Sequence, residues 1–310
     1  MIHIDFDEVL RLVPVASLVE PLRQAFASNA SSPERAHFDL DRMRTLLLMP
    51  SWQPDVAIGV KIVTVFPDNS HRGLPSVNAA YLLLSGQSGQ PQAWIDGRAL
   101  TLVRTAAVSA LAAALLAPPK PEVLLMVGTG ALSRPLIEGH RAVRQYRSIL
   151  VWGRDAQKAI AVAGDLAARG WPVAAASDLE AAVRAADVIS CATLSEQPLI
   201  RGAWLKSHCH LDLVGSFKSS MREADDACMI GAGVVVDTLA ALQDSGDLTQ
   251  PVARGVLQAG DIVLLSHRTA QQNPAPRALK TVFKSVGVAH ADLATAIEIH
   301  ARCVAGRWHP

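Results

Sequence analysis

PEVLLMVGTGALSRPLIEGHRAV, residues 121–143, holds the pattern that decides the fold. An apolar run from Val123 to Val127 stops at Gly128-Thr129-Gly130, and a segment of helical character follows. Strand, glycine turn and helix in that order open a dinucleotide-binding βαβ unit. Gly128 allows the tight turn, and Gly130 lets backbone N–H groups approach a pyrophosphate at the helix N-terminus. Ser133 stands where the third glycine of G-x-G-x-x-G is usual, and it is small enough for close helix–strand packing. Glycine pairs also end ordinary strands, so the strand and helix around them carry the reading.

Residues 148–152 read as the second strand, with Gly153-Arg154-Asp155 at its carboxyl end. NAD-binding units place a carboxylate there for the ribose 2′-OH, whereas an arginine accommodates a 2′-phosphate. Arg154 comes first and Lys158 follows one turn later, which favours NADPH, with NADH the alternative. In the competing reading Asp155 only N-caps the helix beginning near Ala156, and Arg154 is solvated.

The 310 residues accommodate two domains, and a composition 50% hydrophobic and only 18% charged supplies a substantial core. A formal net charge of +1 leaves no electrostatic footprint for nucleic acid or an anionic membrane. Cys191, Cys209, Cys228 and Cys303 show no C-x-x-C pair and read as buried thiols in a reducing compartment. The start MIHIDFDEVL lacks a basic-then-apolar signal, and the run 106–119 is too short to span a bilayer, so a soluble, cytoplasmic protein is expected. His208-x-His210 is the one metal-like pair; no third ligand accompanies it, and no metal is expected.

From about 120 to 240, strands at 123–127, 148–152, 172–175, 187–192, 210–214 and 233–236 alternate with helices that include 155–169 and 178–185. Such alternation demands a parallel, doubly wound α/β sheet. The first 118 residues differ, with strands at 45–49, 57–66, 78–84 and 92–96 and helices at 7–12, 16–28 and 99–117, an α+β pattern. Prolines 118, 119 and 121 mark the linker. The expected division is 1–118 with 289–310, whose segment 289–305 is helical and returns to it, as a substrate-binding and dimerisation domain, and 119–288 as the NAD(P)-binding domain. Lys61 lies within an apolar strand, Arg104 before the almost uncharged helix 105–116, and Arg35 in a loop after Pro-Glu. Each is either a surface charge or part of an anion site; a desolvated lysine is a possible proton donor, and a guanidinium grips a carboxylate in bidentate fashion.

The strings VKIVTVFPDN (60–69), GLPSVNA (73–79), DGRALTLVRTAAVSALAA (96–113), VGTGALSRP (127–135), VGSFKSSMREAD (214–225) and TVFKSVGVAHADLATA (281–296) resemble the ornithine cyclodeaminase/mu-crystallin family along nearly the whole chain. The resemblance implies a Rossmann domain beside a dimer-forming substrate domain. Lys61 and Arg104 match residues around the substrate, as does Arg35, whose loop varies in length; Arg104 and Arg35 then bind its carboxylate. Ser76, Asn78, Arg104 and Thr105 match positions near nicotinamide and phosphates. Gly128, Gly130, Ala131, Leu132, Ser133, Arg154, Thr193, Val214 and Ser285 match the dinucleotide site.

One departure from the family separates its members. Cyclodeaminases resemble one another in an Asp shortly after V-G-G, where this chain carries Phe217. A phenyl ring cannot accept a proton or pair with an ammonium, which disfavours deamination of a diamine. A cyclic ketimine already has its C=N bond, and Phe217 suits its methylene face. The expected activity is therefore NADPH-dependent reduction of Δ1-pyrroline-2-carboxylate or Δ1-piperideine-2-carboxylate, with Lys61 or a bound water supplying the proton. Alanine or N-alkyl amino acid dehydrogenation, ornithine cyclodeamination, and NADPH or small-molecule binding without turnover are the alternatives. The expected assembly is a homodimer.

Overall fold

The computed structural model describes residues 1–270 and 279–307, apart from 29 and 31. The chain divides into two compact units, one of Met1–Arg104 with the segment from Val288 onward, the other of Thr105–Gly287. The division falls inside a helix at Arg104, not at the proline linker. Parts of the expected domains, 271–278 and 308–310, lie outside the described residues.

The first unit contains β1 (Ile2–Ile4), α1 (Phe6–Leu12), α2 (Val19–Ala27), β2 (Ala36–Asp39), β3 (Thr45–Gln53), β4 (Ala57–Val65), β5 (Val77–Ser85) and β6 (Pro91–Asp96). They form one mixed sheet in the order β1-β6-β5-β4-β3-β2, antiparallel except for the β1–β6 pair. Because side chains alternate across a strand, the register sorts them into rows on opposite faces. Met49, Lys61, Tyr81 and Ile95 are partners across four strands, and all are buried. The C-terminal helix, Ala289–Arg307, packs on β3, β4 and β5 and against α2. The neighbouring row, Pro50, Val60, Leu82 and Trp94, is only half-buried, and Trp52 beyond it is exposed.

α3 (Gly97–Leu116) follows β6 directly, its first turn capped where Asp96 accepts from the Ala99 N–H at 2.8 Å. A Cβ on Gly97 would lie 2.5 Å from the Ala79 backbone, so this residue is fixed by close approach. The apolar run expected to be too short for a membrane lies mostly within this helix of 20 residues, in which a window of 18 residues has mean hydropathy 1.8 and is 78% buried. Its Ala-rich sequence reflects burial on every side.

The second unit contains β7 (Val123–Val127), α4 (Ser133–Val143), β8 (Ser148–Trp152), α5 (Ala156–Ala167), β9 (Val173–Ala175), α6 (Leu179–Ala185), β10 (Val188–Cys191), β11 (His210–Leu213), β12 (Ala232–Val236), α7 (Ala241–Asp244), α8 (Gly246–Ala253), β13 (Val263–Leu264), α9 (Leu265–Ala270) and β14 (Lys280–Lys284); Ala289–Arg307 is then α10. The eight strands are all parallel, in the order β13-β12-β14-β11-β10-β7-β8-β9. This is the doubly wound α/β sheet that the alternation demands. Its order reverses between β7 and β10, and in such sheets ligands bind outside the carboxyl ends of the strands at that point. The six expected strands are present to within about a residue at each end. β1, β2, β13, β14 and α7–α9 are not anticipated by the sequence pattern.

Candidate active site

At the carboxyl ends of β7, β8 and β10 lies a cleft of about 620 Å³, lined by Gly128, Gly130, Arg154, Lys158 and Thr193 among others. Gly128 adopts φ +121°, and a Cβ there would lie 2.5 Å from the Ala192 carbonyl oxygen, so conformation and space both demand glycine. A Cβ on Gly130 would meet nothing within 4 Å, which leaves room for a ligand against the backbone. Leu132 precedes α4 without a side-chain cap, which leaves this helix end favourable to an anion, although the Ser133 N–H is itself held by the Gly130 carbonyl at 3.0 Å. Ser133 is buried, and its hydroxyl donates to the Gly130 carbonyl at 2.7 Å. These features fit a dinucleotide pyrophosphate.

At the second strand's end the capping reading holds. Asp155 caps α5 by accepting from the N–H groups of Gln157 and Lys158. Arg154 and Lys158 stand exposed on the cleft. Val214 is buried just beyond β11, and Ser285 just beyond β14 donates to Asp237 at 2.7 Å. Phe217 is 43% exposed on the loop after β11. The loop on either side is tied down, since the Ser216 hydroxyl donates to the Met221 carbonyl.

Beneath the cleft is a buried charge network that the sequence reading missed. Glu223 accepts from the Thr193 N–H at 2.7 Å, the Thr193 hydroxyl at 2.9 Å and the Gly215 N–H at 2.7 Å. One carboxylate thereby joins the loops that follow β10 and β11. Asp247 accepts from the N–H groups of Glu223 and Ala224 and lies 3.5 Å from Lys284. Burial pushes the Glu223 carboxyl up to about 7, with Lys284 opposing and Asp247 adding to the rise.

The first unit holds a second buried cluster. Asp292, in the first turn of α10, lies 2.7 Å from Lys61 Nζ on β4 and accepts from Arg104 Nε on α3 at 2.8 Å. Lys61 and Asp292 Oδ2 form an ion pair. All three residues are buried. Burial pulls the Lys61 ammonium down to about 8, with Asp292 opposing and Arg104 and Arg35 assisting. Burial alone would raise the Asp292 carboxyl; Arg104 and Lys61 outweigh it and hold it below the usual range. A Cβ on Gly59 would fall 1.9 Å from the Tyr81 hydroxyl, so glycine makes room for that ring beside Lys61.

The structure thus brings Lys61 and Arg104 together, within electrostatic reach of half-buried Arg35. The Ser76 hydroxyl donates to the Pro67 carbonyl at 3.3 Å, and exposed Asn78 donates to the Pro75 carbonyl. Thr105 is buried on α3 directly after Arg104, which lies mid-helix and does not open the helix as the sequence suggests. His208 and His210 do not form a pair: His208 is exposed before β11, while buried His210 meets the Thr281 hydroxyl at 2.9 Å. Burial pulls His210 down to about 3. The four cysteines are buried.

The model of the ornithine cyclodeaminase/mu-crystallin family matches residues 4–307. A Δ1-pyrroline-2-carboxylate reductase of Paracoccus denitrificans is 40% identical over 268 residues, 84% of each chain. Another of that name from Colwellia psychrerythraea is 33% identical over 309 residues, covering 94% of this chain and 96% of the relative. The solved Thermococcus litoralis Δ1-pyrroline-2-carboxylate reductase, in complex with NADH and L-proline, superposes with a TM-score of 0.93 at 27% identity, covering 99% of this chain and 98% of that one. By family model, sequence and fold together, the chain belongs to the ornithine cyclodeaminase/mu-crystallin family.

Proposed function

We propose that the chain reduces cyclic ketimine carboxylates, Δ1-pyrroline-2-carboxylate or Δ1-piperideine-2-carboxylate, to L-proline or L-pipecolate with NADPH. The observation that carries the reading is the Lys61–Asp292–Arg104 cluster, in which two buried cations face one carboxylate. An anionic substrate offsets the remaining positive charge, and a guanidinium binds a carboxylate through paired N–H groups. The two reductases named above, 33% and 40% identical, support the substrate class.

The pyrophosphate of the cofactor is assigned to the backbone of Gly130–Ser133, and its 2′-phosphate to Arg154 and Lys158. Thr193, Val214 and Ser285 would line the rest of its site. A reduced nicotinamide, when bound, supplies the hydride. Arg104 and Arg35 hold the substrate carboxylate, and the Lys61 ammonium protonates the ring nitrogen, leaving neutral lysine to regain a proton from water. Phe217 offers no carboxylate for the proton transfers that deamination needs.

NADPH absorbance followed with Δ1-pyrroline-2-carboxylate tests the reading, with NADH alongside and L-ornithine plus NAD as the control. Rapid imine-dependent oxidation, faster with NADPH, and no ammonia from ornithine are expected. Ammonia release from ornithine would overturn the Phe217 argument, and a faster NADH reaction would overturn the assignment of Arg154. A chain that binds NADPH but oxidises it with neither imine would be a binding protein.

A homodimer belongs to the same proposal. The half-buried row Pro50, Val60, Leu82 and Trp94, with exposed Trp52 beside it, gives the first unit an apolar sheet face suited to a second copy. Light scattering is expected to give twice the chain mass of 32.9 kDa; a monomeric mass at micromolar concentration would remove the proposal.

A further inference from the structure

We infer that Asp292 is the positioning residue of this site, aiming the Lys61 ammonium and the Arg104 guanidinium and keeping Lys61 charged for proton transfer. The inference rests on the reading of Lys61 as proton donor.

Three features of the geometry lead there. First, the Arg104 contact uses the Nε edge of the guanidinium. That bond fixes the plane of the fork, and among the described residues neither terminal nitrogen is taken up, which leaves both to grip an anion. Arg104 and Asp292 are 188 residues apart in sequence and meet only because α10 returns across the first unit's sheet. Second, both oxygens of Asp292 are committed, Oδ1 to Arg104 and Oδ2 to Lys61. The carboxylate therefore sets the two cations relative to each other.

Third, Asp292 supplies the only negative charge among the described groups that act on Lys61. Arg104 comes from α3 and Arg35 from the segment before β2, while the β5 register partner of Lys61 is Tyr81, which carries a hydroxyl. Burial keeps that hydroxyl neutral by raising it well above its ordinary range. Met49 and Ile95, in the same sheet row, carry no charge. On α10 itself, the His290 ring packs edge-on against Phe26 at 4.6 Å. Without Asp292, two guanidinium groups and desolvation would all favour neutral Lys61, which has no proton to give.

The chemistry requires that proton. Hydride adds to C2, the C=N π pair moves to nitrogen, and nitrogen takes the proton from the Lys61 ammonium; the product is a secondary amine. Asp292 stays ionised throughout.

Asp292→Asn keeps the shape and removes the charge. With Δ1-pyrroline-2-carboxylate and NADPH, kcat/KM is expected to fall at least tenfold at neutral pH. Its alkaline limb, near pH 8 in the wild type, is expected to move about one unit lower, while NADPH affinity stays within twofold. Asp292→Glu, which restores the charge, is expected to return the limb toward the wild-type position. A uniform loss of activity with an unmoved limb would show a structural role only and overturn the inference. A second readout needs no turnover. Carbon-13 NMR of the Lys61 ε-carbon, assigned with Lys61→Met, should titrate near pH 8 in the wild type and lower in Asp292→Asn. An unshifted titration would reject the inference whatever the substrate is, whereas a shifted titration without imine turnover would reject only the substrate reading.

Discussion

Lys61→Met is expected to lower kcat/KM for imine reduction by about 10²–10⁴-fold, the usual contribution of a positioned general acid, while NADPH affinity changes less than twofold. Methionine keeps the length and apolar stem of the side chain and loses only the ammonium. The two measurements separate because Lys61 belongs to the first unit and the dinucleotide cleft to the second. Comparable losses of turnover and NADPH affinity would mean that Lys61 supports the fold and performs no chemistry.

Stability should respond differently from activity. Breaking a buried ion pair by removing one partner commonly costs about 3–5 kcal/mol. Here the carboxylate of Asp292 keeps Arg104, and the lost ammonium was itself poorly solvated. The destabilisation is therefore expected below that range. The pH dependence has a definite sign, because the Lys61 ammonium ionises near 8 in the folded chain against 10.5 unfolded. Below pH 8 both states carry the proton, and the cost of burying it is fully present. Between 8 and 10.5 the unfolded chain binds more protons, so this residue's contribution to stability improves as pH rises. In Lys61→Met that improvement disappears, which melting curves across the interval would reveal.

The two sites differ in how far the sequence discloses them. β7 and β10 are buried on both faces, and β7 reads as an unbroken apolar run, while β8 alternates buried with half-buried positions; Gly128 marks the turn by its own conformational demand. β14 escapes because lysine stands at each end of its five residues, although Lys284 is buried at the centre of the sheet. Asp292 escapes for another reason. An acid in the first turn of a helix reads as a complement to the helix dipole, and its partners are far away in sequence. Glu223 hides in the string R-E-A-D-D, which has the look of a solvated charge run. In each case the missing knowledge is tertiary: which buried cation or orphan N–H the carboxylate will meet. Lys61 and Arg104 stand out as lone cations in apolar segments, and the family resemblance places them around the substrate, yet periodicity does not say which carboxylate lies between them.

Glu223→Ala should have the largest effect on the cofactor site. It deprives the Thr193 N–H, the Thr193 hydroxyl and the Gly215 N–H of their acceptor at once. An unsatisfied buried donor costs about 1–3 kcal/mol; allowing for water entering the space, a total of about 3 kcal/mol is reasonable, or roughly 6–12 °C in melting temperature. The loops cannot compensate by closing together, because a Cβ on Gly215 would already fall 2.1 Å from the Thr193 carbonyl oxygen. NADPH affinity is expected to fall at least tenfold, while the titration of Lys61 in the first unit stays unchanged. Glu223→Gln separates charge from shape, since an amide offers one acceptor oxygen where the carboxylate uses two. In the wild type the folded chain takes a proton on Glu223 near pH 7, against 4.5 unfolded. Acid therefore loosens the contact between the loops while this group favours the folded state more strongly as pH falls from 7 to 4.5. Cofactor affinity should weaken between pH 8 and 6 without a matching loss of melting temperature. The measurement belongs with NADH, because a phosphate monoester such as the 2′-phosphate titrates near pH 6 on its own. In Glu223→Gln the NADH affinity should be flat over that interval. A wild-type affinity that is equally flat would show that Glu223 remains ionised and that its role is confined to holding the loops in place.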